Sequence, residues 1–584
     1  MQKNAIRFND CFKTFTTDQD KAIRPEDTVA RFEEKIAGLD LDILEEVKRI
    51  DNGRLGIPVY FSVCGADARE MTGTKKQMGK GASADQAKAS ACMELAERFS
   101  FFTFKSNEEN FIRGDYKEMV RQGYPVMDMK LLLKSVHDET RDVVFLEKLL
   151  EGVPMQWTWA TSLGSGEEVL IPFSWFFAIN EFNGPSAGNT LEEAAMQGIS
   201  EIVERHVCSL VNQKKLKTPK IEIDSVRDPV ALELIEKFRK NGVELFLNDF
   251  TLDTGICTVA AMGMDPSTFP EKSEIVYTAG TTPNPEKALI RAITEVAQLG
   301  GDFNSGSNYV ASGLPKPLSM EEVSYLTQSD SSIRIEEMAD LTHDNIRVEV
   351  ENCVDALQER DFEVFMIDVT HQQLQIPAIY TIVPGAHFRE RSMICDVGLF
   401  GAKLITELIQ SPAELEAKFR QVAELIPDGY YIHFYRGRNL LEVGDYEDAL
   451  LHFDRALAHN PEDEDLPYIY SYKGICLKDM ERYDDAVEAL ELGRQVDEER
   501  PDLHNTLGVC YFKKEDFHKA IVHFHRAVEL NPASAMDYAN LGVNYRKIDD
   551  RENAIHFFTL ALSLDPGIEF AQNQLAELVV EEQN

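Results

Sequence analysis

Gly188–Arg205 reads GNTLEEAAMQGISEIVER, and the chain carries this stretch more than once. Moving back 107 residues gives Gly81–Arg98, GASADQAKASACMELAER, which keeps the opening Gly, a shared Ala and the Glu-x-x-Glu-Arg ending. A reduced copy, in register 94 residues further on, lies within Gly280–Gln298 and keeps Ala288, Arg291, Glu295 and Gln298. Each copy predicts a Gly-containing turn with Ser, Thr or Asn nearby, followed by an Ala-rich helix.

Outward from these helices the chain alternates strand and helix signals. Pro25-Glu26-Asp27-Thr28 starts a helix over Thr28–Leu39, and Ile57–Asp67 reads as a buried strand. Gly79-Lys80-Gly81 reads as a flexible turn, and a charged, irregular region follows the first repeated helix to about residue 154. Val169–Ile179 reads as a strand or buried segment, with Asn183-Gly184-Pro185-Ser186 turning into the second copy. Strands are expected within Leu245–Gly263, at Ile275–Tyr277, and at Phe362–Val369 and Ile376–Val383. This alternation indicates a mixed α/β domain. Its C-terminal edge is marked by Pro384-Gly385 and a helix around Leu404–Ile409.

From about residue 430 the pattern changes. Leu507, Gly508, Tyr511, Ala520, Phe524, Ala527 and Pro532 fit a 34-residue tetratricopeptide unit, and Leu541, Gly542, Tyr545, Ala554, Phe558, Ala561 and Pro566 repeat it. Gly474, Ala486 and Leu490 belong to a degraded unit; Gly437, Ala449, Phe453, Ala456 and Pro461 form another, offset by three extra residues. Residues after 567 read as a capping helix. The expected partition is a mixed α/β domain over 1–405, a helical linker over 406–429 and an all-α repeat domain over 430–584.

The net charge of −40 argues against nonspecific binding to nucleic acid or an anionic membrane. Nine scattered cysteines form no C-x-x-C pair, so neither a zinc site nor a disulfide framework is suggested. The polar N-terminus lacks a signal peptide's apolar core, and the most apolar run, Val169–Ile179, is too short for a bilayer span. A cytoplasmic protein is expected.

Helical spacing places Ser90, Glu94 and Glu97 on one face of the first helix, and Glu193, Gln197, Glu201 and Glu204 on one face of the second. Arg291 and Glu295 share a face of the third. Surrounding Ala, Leu, Ile and Val residues indicate helices buried on most sides, where carboxylates need cationic partners. Magnesium commonly bridges one or two carboxylates to substrate phosphates. Arg205, Arg291 and Lys21 are the candidate phosphate contacts. No G-x-x-x-x-G-K-[ST] loop is present.

In combination, S-x-x-x-E-x-x-E-R at Ser90–Arg98, N-T-x-x-E-A-x-x-Q-x-x-x-E-x-x-E-R at Asn189–Arg205, and R-x-x-T-E at Arg291–Glu295 resemble the signature of the YcaO family. Lys21 with Thr28-Val29-Ala30-Arg31-Phe32, the Gly79-Lys80-Gly81 turn and Ile382-Val383-Pro384-Gly385 are similar to its other landmarks. The resemblance spans about residues 20–400 and implies an ATP site without a P-loop, built from these helices around magnesium. It implies that Glu94, Glu97, Glu201, Glu204 and Glu295 hold magnesium on the triphosphate. Arg205, Arg291 and Lys21 would touch phosphates; Ser90, Asn189, Glu193 and Gln197 would line the nucleotide pocket, with Thr28 beside them.

The implied chemistry is phosphorylation of a peptide backbone amide oxygen, opening the amide carbon to a thiol, a hydroxyl or external sulfide. Azoline-forming members usually end in a Pro-rich tail, which Leu578–Asn584 (LVVEEQN) does not resemble. The expectation is therefore a non-azoline branch. One form is thioamide formation with a TfuA-type partner; another is an accessory role in β-methylthiolation of a ribosomal protein, beside a methylthiotransferase. The alternative is an ATP-binding scaffold that docks a partner through its repeats without amide chemistry. A homodimer is expected under either reading.

Overall fold

Each repeated helix follows a short strand, and the three strands end three different sheets. The computed structural model describes residues 5–51, 53–303, 317–388 and 395–581. Lys76–Lys80 ends an antiparallel three-stranded sheet shared with Leu44–Arg49 and Val59–Cys64. Val276–Thr281 ends a five-stranded sheet and Pro185–Ala187 a six-stranded one. Helices Ala84–Ser106, Leu191–Lys214 and Pro285–Leu299 fold back on these strands. Each also packs on the strand of another unit: Ala84–Ser106 on Pro185–Ala187, Leu191–Lys214 on Val276–Thr281, and Pro285–Leu299 on Lys76–Lys80. The three units thereby close a ring.

Close packing of strand and helix explains the small residues. A Cβ on Gly79 would lie 2.3 Å from the Ala87 carbonyl oxygen and 2.1 Å from the Ala91 nitrogen. At Gly280 it would lie 2.6 Å from both the Ala288 oxygen and the Ala292 nitrogen. The matching position of the second unit is Ser186, whose hydroxyl donates to the Ala194 carbonyl at 2.8 Å. Gly79 and Lys80 therefore end a strand rather than forming the flexible turn expected of two nearby glycines. Glycine is present for the approach of two backbones. Pro185 and Ser186 likewise begin a strand rather than completing a turn.

The helix starts repeat with the strands. Ser83 accepts from the Gln86 N–H, Thr190 from Glu193 and Asn284 from Lys287, so each side chain satisfies an otherwise orphaned amide. The α/β architecture agrees with the sequence, but two stretches differ. The region expected to be irregular holds helices Tyr116–Arg121, Met129–Lys134 and Val143–Leu149, each capped by an aspartate: Asp115, Asp128 and Asp142. They are too short to show a clear helical period. Val169–Ile179 is split instead between strand Glu168–Pro172 and helix Phe173–Asn180, whose Phe173, Trp175 and Phe176 are buried.

The chain divides into two compact units, Met1–Val397 and Gly398–Asn584. Residue 405, the expected end of the first domain, falls inside helix Val397–Leu408, and helix Pro412–Leu425 occupies most of the expected linker. The second unit contains four helix pairs: Tyr430–Glu442 with Tyr446–Ala458, Leu466–Asp479 with Tyr483–Val496, Pro501–Lys513 with Phe517–Leu530, and Ala535–Lys547 with Arg551–Leu564. Glu569–Glu581 follows as the capping helix; residues 582–584 of the C-terminal stretch lie outside the described residues. In every pair a glycine faces one large side chain. A Cβ on Gly437, Gly508 or Gly542 would meet Phe453, Phe524 or Phe558 at 2.7, 2.8 and 2.7 Å, and one on Gly474 would meet Leu490 at 2.4 Å. The degraded unit keeps this packing with leucine. Its three-residue offset lies in the longer connection 459–465, against 497–500 and 531–534 elsewhere.

Candidate functional site

Counted from their caps, the three helices place polar residues at the same seventh, eleventh and fourteenth positions, which share one helical face. Those residues are Ser90, Glu94 and Glu97; Gln197, Glu201 and Glu204; and Arg291, Glu295 and Gln298. All nine line one cavity of about 450 Å³, a volume typical of small-molecule sites. Lys21, Thr28, Asn189, Glu193 and Arg205 line it as well. The structure thus brings together every site residue expected from the sequence.

The N-terminal segment is tied to this wall. Lys21 sits in a closed turn, donating its N–H to the Phe15 carbonyl at 2.9 Å and accepting from the Thr14 and Phe15 N–H groups. The next N–H, of Ala22, donates to Glu193 Oε1 at 2.6 Å. Glu193 Oε2 accepts from the Asn189 N–H at 2.9 Å and from its side-chain amide at 3.0 Å. Glu193 therefore positions Lys21 and Asn189 in addition to facing the cavity. The Thr28 hydroxyl donates to the Arg24 carbonyl at 3.1 Å.

The carboxylates face cations from other parts of the ring and from their own helices. Arg98 donates to Glu94 Oε1 at 3.1 Å and approaches Glu97 at 3.4 Å. Glu201 lies 3.8 Å from Arg205 and accepts from the Gly184 N–H at 3.2 Å. Arg291 donates to Gln197 Oε1 at 2.7 Å and stands 3.6 Å from Glu204. Lys80 pairs with Glu295. Burial, reinforced by Glu94, pushes the Glu97 carboxyl well above its usual range. Burial also raises Glu201, against the pull of Arg205 and Arg98. Lys80 is pushed down to about 7 by burial and by Arg291.

Do these groups fit magnesium? Among the described residues, no three His, Cys, Asp or Glu side chains stand close enough to cage an ion unaided. Magnesium does not require such a cage, because one or two carboxylates normally hold it together with substrate phosphates and water. Glu94 with Glu97, and Glu201 with Glu204, are i,i+3 pairs of the required kind. Glu204 Oε2, Arg291 Nε and Gln298 Oε1 are buried without a hydrogen-bond partner, unusual for polar atoms lining a cavity. The donor set fits a divalent ion on a polyphosphate.

Seven further polar residues, Gln19, Lys76, Gln77, Lys80, Gln86, Arg98 and Gln298, complete the wall. The repeat itself signals two of them. Gln298 occupies the position of Glu97 and Glu204, and Gln86 the position of Glu193. Lys80 was obscured by the glycines on either side of it.

A family model described as YcaO cyclodehydratase, ATP- and Mg2+-binding, matches residues 78–387. Tetratricopeptide models match residues 440–510, 501–534 and 538–568. The chain is 30% identical over 393 residues to an uncharacterized protein of Methanothermobacter thermautotrophicus, covering 62% of this chain and 94% of the relative. It is 24% identical to an uncharacterized protein in the tfuA 3′ region of Rhizobium leguminosarum bv. trifolii, covering 63% of this chain and 88% of the relative. Similarity to the Escherichia coli ribosomal protein S12 methylthiotransferase accessory factor is 27% identity, covering 49% of this chain and 50% of that protein. Among solved structures, a Methanopyrus kandleri protein bound with AMPPCP and Mg2+ shares the fold, with a TM-score of 0.50 at 23% identity, covering 64% of this chain and 94% of that one.

Proposed function

The chain belongs to the YcaO family, and from that premise we propose that it uses MgATP to activate a peptide backbone amide in a reaction that does not form azolines. The observation that carries the reading is the convergence of three helices, each with a glutamate eleven residues past its cap, on one polar cavity. In the proposed reaction the amide oxygen attacks the γ-phosphorus and ADP leaves. A nucleophile then adds to the amide carbon, and the oxygen departs as phosphate; with sulfide as nucleophile the product is a thioamide.

Magnesium held by Glu94, Glu97, Glu201, Glu204 and Glu295 would neutralise the triphosphate. Arg205, Arg291 and Lys21 would hold its phosphate oxygens, and Ser90, Asn189, Gln197 and Thr28 would orient the nucleotide. Positioning and fixed charge supply most of the rate in such transfers. Glu193 keeps Lys21 and Asn189 in place through the bonds it makes to the chain.

Similarity to the tfuA-region protein, which extends over 88% of that relative, supports a TfuA-like partner. Similarity to the methylthiotransferase accessory factor supports a ribosomal-protein substrate. The repeat array supports a second reading, an ATP-binding scaffold that docks a protein without amide chemistry. The array is also the proposed surface for homodimerisation. No described helix is long and apolar enough to cross a membrane.

The test is phosphate release by the purified full-length chain with ATP, magnesium and sulfide, with and without candidate peptides. Mass spectrometry would follow oxygen-for-sulfur exchange. Peptide-stimulated hydrolysis with that exchange is the expected result. Tight ATP binding with no hydrolysis under any condition would select the scaffold instead.

A further inference from the structure

Helix Ala84–Ser106 runs on past the cavity, and the stripe it presents there turns aromatic as it leaves. Glu94, Arg98, Phe102 and Lys105 follow at helical intervals of four, four and three, so they share one face. The other two copies do not continue the stripe. The second helix carries Ser209 and Asn212 where the first has Phe102 and Lys105, and the third stops at Leu299, the position of Arg98.

The loop after helix Phe173–Asn180 completes the stripe. Phe182 sets its ring 5.9 Å from that of Phe102 and still stays 50% exposed. The Lys105 ammonium stands over both Phe177 and Phe102, 4.0 and 5.9 Å from the ring centres, and Phe177 packs on the buried Phe101 and Phe173. Single exposed aromatic residues are common on protein surfaces, but this one is held. The Phe182 carbonyl accepts from Arg98 at 3.1 Å, and the Gly184 N–H donates to Glu201 at 3.2 Å. Glu181, just before Phe182, takes φ 48° and ψ −104°, a strained backbone for a residue with a side chain. Two cavity residues thus fix a strained loop that presents a ring to solvent, and strain of this kind collects at ligand clamps.

The clamp lies at the carboxylates: Arg98 faces Glu94 and Glu97, and its charge acts on Glu201 as well. Activating an amide there requires a peptide chain to pass beside these side chains, and the three rings give an apolar surface continuous with them. We propose that Phe102, Phe177 and Phe182 form a substrate ledge, which takes an apolar side chain neighbouring the amide to be activated. This deepens the MgATP amide-activation reading and rests on it. Aromatic rings offer a large contact area with few rotors to freeze, so they hold an aliphatic or aromatic side chain at low entropic cost. Arg98 and Glu201 keep the ledge at a fixed distance from the carboxylates proposed to hold magnesium, so the contact also places the neighbouring amide.

Two uncharged probes test the ledge: N-acetyl-Gly-Gly-Phe-Gly-Gly-amide and its analogue with serine at the centre. Their affinities for the full-length chain loaded with magnesium and AMPPNP are read by saturation-transfer NMR titration, with nucleotide binding measured separately by calorimetry. The phenylalanine probe is expected to bind at least about fivefold more tightly than the serine probe. Phe182→Ser should abolish that preference, and Phe182→Leu, which keeps an apolar side chain, should retain it to within about twofold. Equal affinity of the wild type for the two probes, no binding of either, or a preference unchanged in Phe182→Ser would overturn the ledge while leaving the nucleotide site intact. A solution mass that falls in Phe182→Ser would overturn it in favour of an interface between copies of the chain. Wild-type chain that fails to bind AMPPNP would sink the MgATP reading and the ledge with it. An unchanged melting temperature in Phe182→Ser excludes misfolding as the cause.

Discussion

The chain repeats itself in two ways. In the helical array the packing is what recurs: Gly437, Gly474, Gly508 and Gly542 each face one large side chain, Phe453, Leu490, Phe524 or Phe558. In the strand–helix ring the frame recurs, through Ser83, Thr190 and Asn284 as caps, while side chains within the cavity diverge. Ser90, Gln197 and Arg291 occupy one position of that frame, and among the three cavity-facing positions only that of Glu94, Glu201 and Glu295 holds the same residue in all three units. Units stacked in line bury equivalent interfaces and can remain alike. Units closing on a shared centre divide the work of one site, so their functional residues separate while their packing stays constant.

The largest loss of activity is expected at the constant glutamate. Glu201→Ala removes a carboxylate proposed to hold magnesium and is expected to slow ATP turnover by at least about 10²-fold. Circular dichroism should be unchanged, because the buried Ile199, Ile202 and Val203 beside it remain. Normal hydrolysis by that variant would remove Glu201 from the metal set.

Stability separates the two kinds of glycine. Gly79→Ala forces a Cβ onto the backbone of helix Ala84–Ser106 and is expected to cost more than about 3 kcal/mol, read by urea unfolding. Gly508→Ala has the Phe524 ring as its nearest obstacle and should cost about 1–3 kcal/mol. The reverse order would contradict the distinction between backbone and side-chain contacts. Removing residues 430–584 should change solution mass or partner capture while ATP affinity stays within about threefold of the full chain; unchanged mass and capture would count against the array's proposed role. The smallest effect is expected for Thr190→Ala, about 1 kcal/mol from the lost cap, with little change in turnover.

Much of this organisation was legible in the sequence because it depends on spacing. Glutamates at a constant distance from Ser, Thr or Asn mark both the helix and its cavity face, and every expected site residue lines the cavity. Lys80 was hidden by local composition: glycine on both sides suggests mobility, while close contact of strand and helix backbones is the actual reason for Gly79. Helices Tyr116–Arg121 and Met129–Lys134, six residues each, are too short to display a period, though their aspartate caps were present in the sequence. The order of strands in three separate sheets depends on contacts between distant segments. No local pattern encodes it.

On this reading the ring is one magnesium–nucleotide site. Calorimetric titration of ATP into the wild-type chain, with magnesium or with EDTA, addresses it most directly. One ATP per chain is expected, with affinity falling at least about tenfold when magnesium is withheld, because phosphates and carboxylates then repel without a bridging ion. Equal affinity in EDTA, or no binding in either condition, would contradict it.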